Sequence, residues 1–366
     1  MTTNTVLEVD RVRCGETRLI ESELEPLGPG RVRLRIDRFA VTANNITYAV
    51  LGDMLGYWDF FPSGDTAWGR VPAMGWADVI ESTHPDFATG GRYYGWFPMA
   101  RFVDLSVSAT GDGLRDDGEH RQAHAPVYRN YVETTHDPMY PSGASGHELG
   151  DAEDRHALLR GLFITSFLAD TFFADADYYG ADAAIVLSAS AKTAIGFAQR
   201  TSARGVSRVI GLTSAGNVGF VKSLGWYTDV LTYDDTASLP ELDAVSVDIS
   251  GDGNTLAAVH ERLGDHLKYS MIIGKSHHDS PFAQVEVGPS PELFFAPTEI
   301  GRRIEEWGAA EYQRRCTEAL EDFVAGSHRW LTVERSSGPA AAASTWSDVF
   351  DGQVAPSVGR IVSLHD

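Results

Sequence analysis

Lysine is nearly absent from this chain. Only Lys192, Lys222, Lys268 and Lys275 occur among 366 residues, all in one central stretch, and arginine carries the positive charge elsewhere. Cysteine is scarcer still. Cys14 and Cys316 are too few and too far apart for a structural zinc cluster, which needs about four ligands. They read as buried free thiols, since a disulfide is disfavoured in a reducing compartment. Positive charge as a whole is in deficit, and the formal net charge of -21 disfavours nucleic acid or an anionic membrane surface as a partner. The same charge serves solubility. No apolar run approaches the roughly 20 residues that span a bilayer. The opening MTTNTVLEVDRVRCGE lacks the basic and apolar regions of a signal peptide, so a cytoplasmic protein is expected.

What is present is an ordinary globular composition, 43% hydrophobic and 22% charged, in a chain long enough for two cores. Residues 1–150 read as β-rich: GRVRLRIDRFAVT alternates polar and apolar residues as a half-buried strand does. Short apolar runs punctuated by Gly and Pro follow, among them VPAMGWADVIES, GGRYYGWFPMARFVDL and PVYRNYVET, each expected as strand. The polar ATGDGLRDDGEHRQAHA is expected as a solvated loop. From residue 151 the texture changes. EDRHALLRGLFITSFLADTFFADADYYG has helical spacing, and strand-like and helix-like segments then alternate from AAIVLSAS to YSMIIGKS. That alternation predicts a parallel sheet with helices on both faces across 151–285. Residues 286–366 read as an amphipathic helical segment, then PAAAAS as linker or helix start, then a short helix, a turn and a closing strand.

The segment most suggestive of chemistry is AAIVLSASAKTAIGFA. A β-branched run enters a turn of small residues, and a helix leaves it. Such a turn lets backbone N–H groups approach phosphates, and the helix N-terminus adds about half a positive charge. Ser188, Ser190, Ala191 and Thr193 keep the turn small or offer hydroxyls, and Lys192 can neutralise a phosphate. The G-x-G-x-x-G spacing is missing, with only Gly196 one step further on. Two other readings stay open: a nucleoside-triphosphate loop without its glycines, and a turn that binds nothing. The second strand of the series, SRVIGLTSAGN, ends in Thr213 and Ser214 rather than in the acid that holds a free ribose 2′-hydroxyl. Hydroxyls there, with Lys192 or Tyr233 assisting, suit a 2′-phosphate and therefore NADP(H).

The order of parts resembles the medium-chain dehydrogenase/reductase superfamily. The residues that carry the resemblance are VPAMGWADVIESTHPDFATGGRYYGW, FVKSLGWYTDVLTYDD and WSDVFDGQVAPSVGRIV. Together with ALLRGLFITSFLADTFF, SASAKTA and ITYAVLGDMLGYWDFFP, they look like a branch known mainly as a domain of unknown function. The resemblance implies an α/β fold: a Rossmann-type doubly wound parallel sheet plus a β-rich, GroES-like substrate domain, in a homodimer. Zinc-dependent members need Cys, His and Glu ligands where this chain has Gly75-Trp76-Ala77-Asp78, and Cys14 lies too early to substitute. The resemblance is therefore to the zinc-independent quinone-oxidoreductase and enoyl-reductase side, with no metal.

On that reading the nicotinamide carboxamide meets backbone at Gly274 to Ser276, and Lys275 or His277 approaches a substrate oxygen. In TANNITYAVLGDMLGYWDFFP, Tyr48 is a candidate donor to a carbonyl and Asn44 its orienting partner, while Tyr128 is a weaker candidate because PVYRNYV reads as strand. The many aromatics of this half fit a bulky, apolar small-molecule substrate. The expected function is hydride transfer to or from a carbonyl or activated double bond. A cofactor-free lyase or hydrolase acting on a β-carbonyl compound, with Lys192, Lys275 or His277 as acid–base group, is the alternative, and a non-catalytic binding protein is a third.

Overall fold

The computed structural model describes residues 2–275, 277–281 and 284–366. The chain forms two compact units, Met1–Leu158 with Leu331–Asp366, and Leu159–Trp330.

In the second unit a six-stranded, fully parallel sheet has the spatial order Asp229–Thr232, Arg208–Thr213, Ala183–Leu187, Ala244–Asp248, Leu267–Ile272, Glu292–Leu293. Numbered along the chain, that is third, second, first, fourth, fifth, sixth, the order of a Rossmann-type doubly wound sheet. Each face has its own apolar core. Ala184, Val186, Val209 and Val247 meet Phe173 and Phe197 on one side. Ile185, Leu187, Ile210 and Leu212 meet Leu256, Val259 and Leu263 on the other. A strand covered on both faces must be apolar at every position, which is why Ala183–Leu187 shows no alternation.

The first unit is β-rich. Its eight-stranded sheet runs Thr332–Ser337, Val358–Ser363, Arg31–Val41, Pro72–Ser82, Arg92–Pro98, Asn130–Glu133, Gly113–Asp116, Phe102–Ala109. A further pairing of Arg31–Val41 with Phe102–Ala109 closes six of these strands into a barrel. Val32, Leu34 and Ile36 alternate into its interior.

Several expectations are corrected. PVYRNYVET is not all strand: Pro126–Arg129 is one helical turn, with proline in its first turn where no N–H is needed, and the strand is only Asn130–Glu133. ATGDGLRDDGEHRQAHA is not a solvated loop. It contains the strand Gly113–Asp116, and Leu114, Asp116 and Arg121 are buried, with an Arg121 Nε–Asp116 Oδ2 ion pair at 3.2 Å. PAAAAS opens the helix Pro339–Phe350. The statement about apolar length also fails. The helix Gly146–Asp175 contains an 18-residue window with mean hydropathy 1.4, long and apolar enough to cross a bilayer, but 72% of that window is buried inside the protein. A helix packed on all sides is apolar on all sides.

The start of that helix is fixed to the first unit by charge. The Glu153 carboxylate accepts from Arg92 (2.8 and 2.7 Å), Arg38 (2.6 Å) and the Tyr140 hydroxyl (2.8 Å). Next to it, Asp154 accepts from Arg38 at 2.6 Å and from Arg335, and Arg92 also reaches Asp37 at 2.8 Å. Burial raises the Glu153 and Asp37 pKa values, but the hydrogen bonds and charge of the arginines outweigh it, so both stay below the ordinary carboxylate range. Asp154, where burial wins, is raised. Glu153→Gln, which removes a buried charge and leaves two half-buried guanidiniums undercompensated, is expected to cost about 3 kcal/mol in a denaturant titration. A carboxylate with a depressed folded-state pKa stabilises above its unfolded pKa and loses that contribution as pH falls through the folded value. Wild-type stability should therefore decline below roughly pH 4, and the variant should decline less steeply.

Candidate functional site

The strand Ala183–Leu187 has parallel neighbours on both sides, Arg208–Thr213 and Ala244–Asp248, and the strand order reverses between the first and fourth. In doubly wound sheets a ligand crevice lies beyond the carboxyl ends of the strands at such a switch point. Ser188 leaves the strand with φ +57°, a left-handed conformation that glycine usually supplies. Two backbone bonds shape the turn, Ala189 N–H to Leu212 O (2.9 Å) and Ala191 N–H to Ser188 O (2.8 Å), and Tyr227 donates its hydroxyl to Ala189 O at 2.9 Å. The helix Lys192–Ala203 then begins at Ala191 with no side-chain cap, so its first-turn N–H groups stay available to an anion. Gly196 serves packing: a Cβ there would lie 2.8 Å from Ser166 Oγ.

Lys192 is half-buried beside this turn, and desolvation pulls its ammonium pKa down to about 8. Thr193 and Ser188 are buried, Ser190 and Ala191 half-buried. Thr213 lies 3.4 Å from Ser190 Oγ, which also accepts from Asn217 Nδ2 at 3.2 Å, while Ser214 is exposed. Thus Ser190, Thr213 and Asn217 meet beside the end of the second strand. Asn217 escaped the sequence reading although it closes the quoted TSAGN. Tyr233 hydrogen-bonds with Ser188, and burial pushes its phenol up to about 12. Its ring meets the His277 imidazole edge-on at 5.5 Å. Tyr233 is therefore engaged with the turn after the first strand.

The loop after the fifth strand is held by Lys275. Its buried ammonium donates to Ser280 O (2.6 Å), Gly251 O (2.9 Å) and, at 3.4 Å, His277 O. Gly251 faces it with φ +62°, and a Cβ there would come 2.8 Å from Gly274 O. Lys275, expected as a group facing substrate, is committed to backbone carbonyls instead. Gly274 is half-buried in this loop, and Ser276 lies outside the described residues. His277 Nδ1 stands 3.8 Å from Asp252 Oδ2. Asp248, at the end of the fourth strand, was not anticipated; burial raises its carboxyl to about 6 despite bonds from the Ser250 hydroxyl and the Ser250 and Gly251 amides. An Asp ending a strand-like run just before a Ser-Gly turn was the available signal.

In the first unit, the helix Ala43–Val50 carries Asn44 and Tyr48 one turn apart. Burial raises the Tyr48 pKa, while hydrogen bonds from Trp96 (Nε1 to the phenol oxygen, 3.3 Å) and Asn44 pull against it. Tyr48 packs on Tyr57 with ring centroids 4.4 Å apart, and the Tyr57 and Tyr128 hydroxyls are 3.4 Å apart. Tyr57, Trp96 and Tyr128 were not singled out as a group because they come from three distant segments. Asp78 pairs with Arg92 at 3.0 Å. Among the described residues no three His, Cys, Asp or Glu side chains converge on a possible metal position.

Residues 39–355 match the family described as "Protein of unknown function (DUF2855)". The chain belongs to that family. No curated protein sequence matches this DUF2855 chain. Among solved structures it is similar to the YhdH oxidoreductase from Salmonella enterica in complex with NADP (16% identity, 99% of each chain, TM-score 0.56). It is also similar to CurA from Vibrio vulnificus in complex with NADPH (14%, all of both chains, TM-score 0.59). A third is a mutant form of enoyl thioester reductase from Candida tropicalis (13%, 99% of this chain and all of the other, TM-score 0.57). At these identities the likeness is one of fold.

If Lys275 organises the loop, Lys275→Met should lower stability by about 2–3 kcal/mol in urea unfolding, the scale for losing hydrogen bonds from a buried charged donor. A loss below about 0.5 kcal/mol would mean the amine is not needed to hold the loop.

Proposed function

We propose that this chain is an NADP(H)-dependent, zinc-independent oxidoreductase of the quinone-oxidoreductase-like kind, acting in the cytoplasm on a bulky, apolar carbonyl compound or activated alkene. The observation that carries the reading is the coincidence, at the switch point of a doubly wound sheet, of a tight small-residue turn, an uncapped helix start and Lys192. Two of the solved structures of similar fold carry NADP or NADPH, which supports the choice of cofactor.

The residues present fit such a group. In this reading Ser188, Ser190, Ala191 and Thr193 offer small side chains, hydroxyls or backbone N–H groups to the pyrophosphate, and Lys192 neutralises a phosphate. Thr213, Ser214 and Asn217 receive a 2′-phosphate without an opposing acid. Gly274 offers backbone to the carboxamide, in a loop shaped by Lys275. Tyr233, braced against Ser188 and His277, borders the turn. The nicotinamide, when bound, supplies or accepts the hydride. Tyr48 donates its phenol proton in a hydrogen bond to the substrate oxygen where negative charge develops, and Asn44 and Trp96 hold that oxygen in place. The half-buried His277 stands beside Asp252 at the same loop. A homodimer joined along the exposed edge at Glu292–Leu293 belongs to the same proposal.

Isothermal titration with NADPH and NADH tests it. NADPH should bind more tightly, and Lys192→Ala should weaken NADPH by roughly tenfold or more, the scale of a charge-assisted hydrogen bond. An anionic phosphate prefers the protonated amine, so wild-type affinity should fall as pH rises past about 8, and the variant should lose that dependence. Failure of both nucleotides to bind would overturn the reading.

A further inference from the structure

The tyrosines of the first unit form a site of their own. Tyr48 comes from the helix Ala43–Val50, Tyr57 from the turn Tyr57–Asp59, Trp96 from the strand Arg92–Pro98, and Tyr128 from the helical turn Pro126–Arg129. Edge-to-face contacts join Tyr128 to Trp96 (5.5 Å) and to Tyr57 (6.0 Å), and Phe60 closes the group 5.1 Å from Tyr128.

A proton inventory shows what this group lacks. The indole N–H of Trp96 can only donate, so at 3.3 Å the Tyr48 oxygen accepts and keeps its own proton to give. The Tyr57 and Tyr128 hydroxyls, 3.4 Å apart, share one proton between them. With Trp96 and Asn44 both engaging the Tyr48 oxygen, the Tyr48 proton and one proton of the Tyr57–Tyr128 pair have no acceptor in the hydrogen bonds of this cluster. Tyr48 and Tyr57 are 7% and 5% exposed, so water has little access to them, while Tyr128 is half-buried. Arg121 stands behind the group, its guanidinium 4.3 Å from the Phe60 ring and ion-paired to Asp116. His124, 4.3 Å from the same ring, is kept towards its neutral form by burial and by Arg121. Donors in surplus, an aromatic wall and a cation behind it match a ligand oxygen that carries no proton of its own.

We infer that Tyr57 and Tyr128, together with Tyr48, form a binding site for an acceptor-only oxygen (a ketone or quinone carbonyl, or the enolate or phenolate derived from it) on a flat aromatic body. The identification of that ligand as the substrate rests on the oxidoreductase reading above; the oxygen site does not. Two fixed O–H donors on one oxygen hold an oxyanion more strongly than a neutral carbonyl, so the site favours the species in which negative charge has developed. Tyr57 and Tyr128 thereby become specificity-determining residues beyond Tyr48.

The probe is 4-nitrophenol, whose ionisation is read from its absorption, titrated against pH in the presence of the full-length protein. Its midpoint should fall by about one pH unit or more on binding, a tenfold preference for the phenolate. Tyr57→Phe and Tyr128→Phe should each give back roughly threefold of that preference, and Tyr48→Phe combined with Tyr128→Phe should return the midpoint to the free value. Naphthalene, which has no oxygen, should bind wild type and all folded variants alike, separating lost donors from a collapsed box. Absence of binding at millimolar 4-nitrophenol, an unshifted midpoint, or Phe variants that behave as wild type would each overturn the inference. The two readings fail separately. A shifted midpoint with no NADPH binding leaves the oxygen site and removes the oxidoreductase; NADPH binding with an unshifted midpoint does the reverse.

Discussion

Glu153 is the point on which the first unit depends. Its two oxygens are shared among Arg38, Arg92 and Tyr140, and Asp154 ties Arg38 to Arg335 from the C-terminal segment. Residues far apart in the chain are thereby held to the barrel by guanidinium forks rather than by apolar contact. Such an arrangement returns its desolvation cost only when every donor and acceptor is matched. Planar arginine does this where lysine, a point charge, could not match several carboxylate oxygens at once. Lysine scarcity in the β-rich half thus has a structural counterpart: its buried Arg33 and Arg121 and half-buried Arg38 and Arg92 act through shaped networks.

The second unit is built on the opposite principle. Its sheet is largely apolar on both faces, interrupted by Ser246 and Ser270, which hydrogen-bond to each other, Ser270 also to His260. Ser188, Thr213, Asp248 and Gly274 stand at the carboxyl ends of the strands. The turn after the first strand has serine in a left-handed position that glycine usually supplies. Tyr227 and Tyr233 brace it from either side, contacts that can offset the cost of about 1–3 kcal/mol for holding a non-glycine residue there.

How much of this was legible follows the physics of each segment. The doubly wound sheet could be read because buried parallel strands leave continuous apolar runs, and the strand–turn–helix at Ser188 because small residues and a lysine interrupt one. The helical turn at Tyr128 was hidden because Val127 and Tyr128 favour strand locally, whereas the Arg121 guanidinium accommodates the Tyr128 carbonyl. Arg121 itself sat in letters that look solvated, since a buried ion pair and a surface loop have the same composition. Lys275 was legible as unusual but not as a staple, because the carbonyls it serves come from Gly251, His277 and Ser280 and only folding assembles them. The tyrosine cluster was invisible for the same reason.

The closing strand Val358–Ser363 pairs with Arg31–Val41 near the start of the chain, joining Arg360 to Val41 and Val362 to Phe39. On the ribosome these partners are separated by the whole of Leu159–Trp330, and at about 5–20 residues per second the wait lasts tens of seconds. The second unit, whose strands are contiguous in sequence, can finish folding in that interval. Until Val358–Ser363 emerges, the Val41 end of the early strand offers an unsatisfied edge. Completion of the first unit therefore waits on that strand, and the nascent chain passes through a stage in which the edge is open to mispairing or to a chaperone.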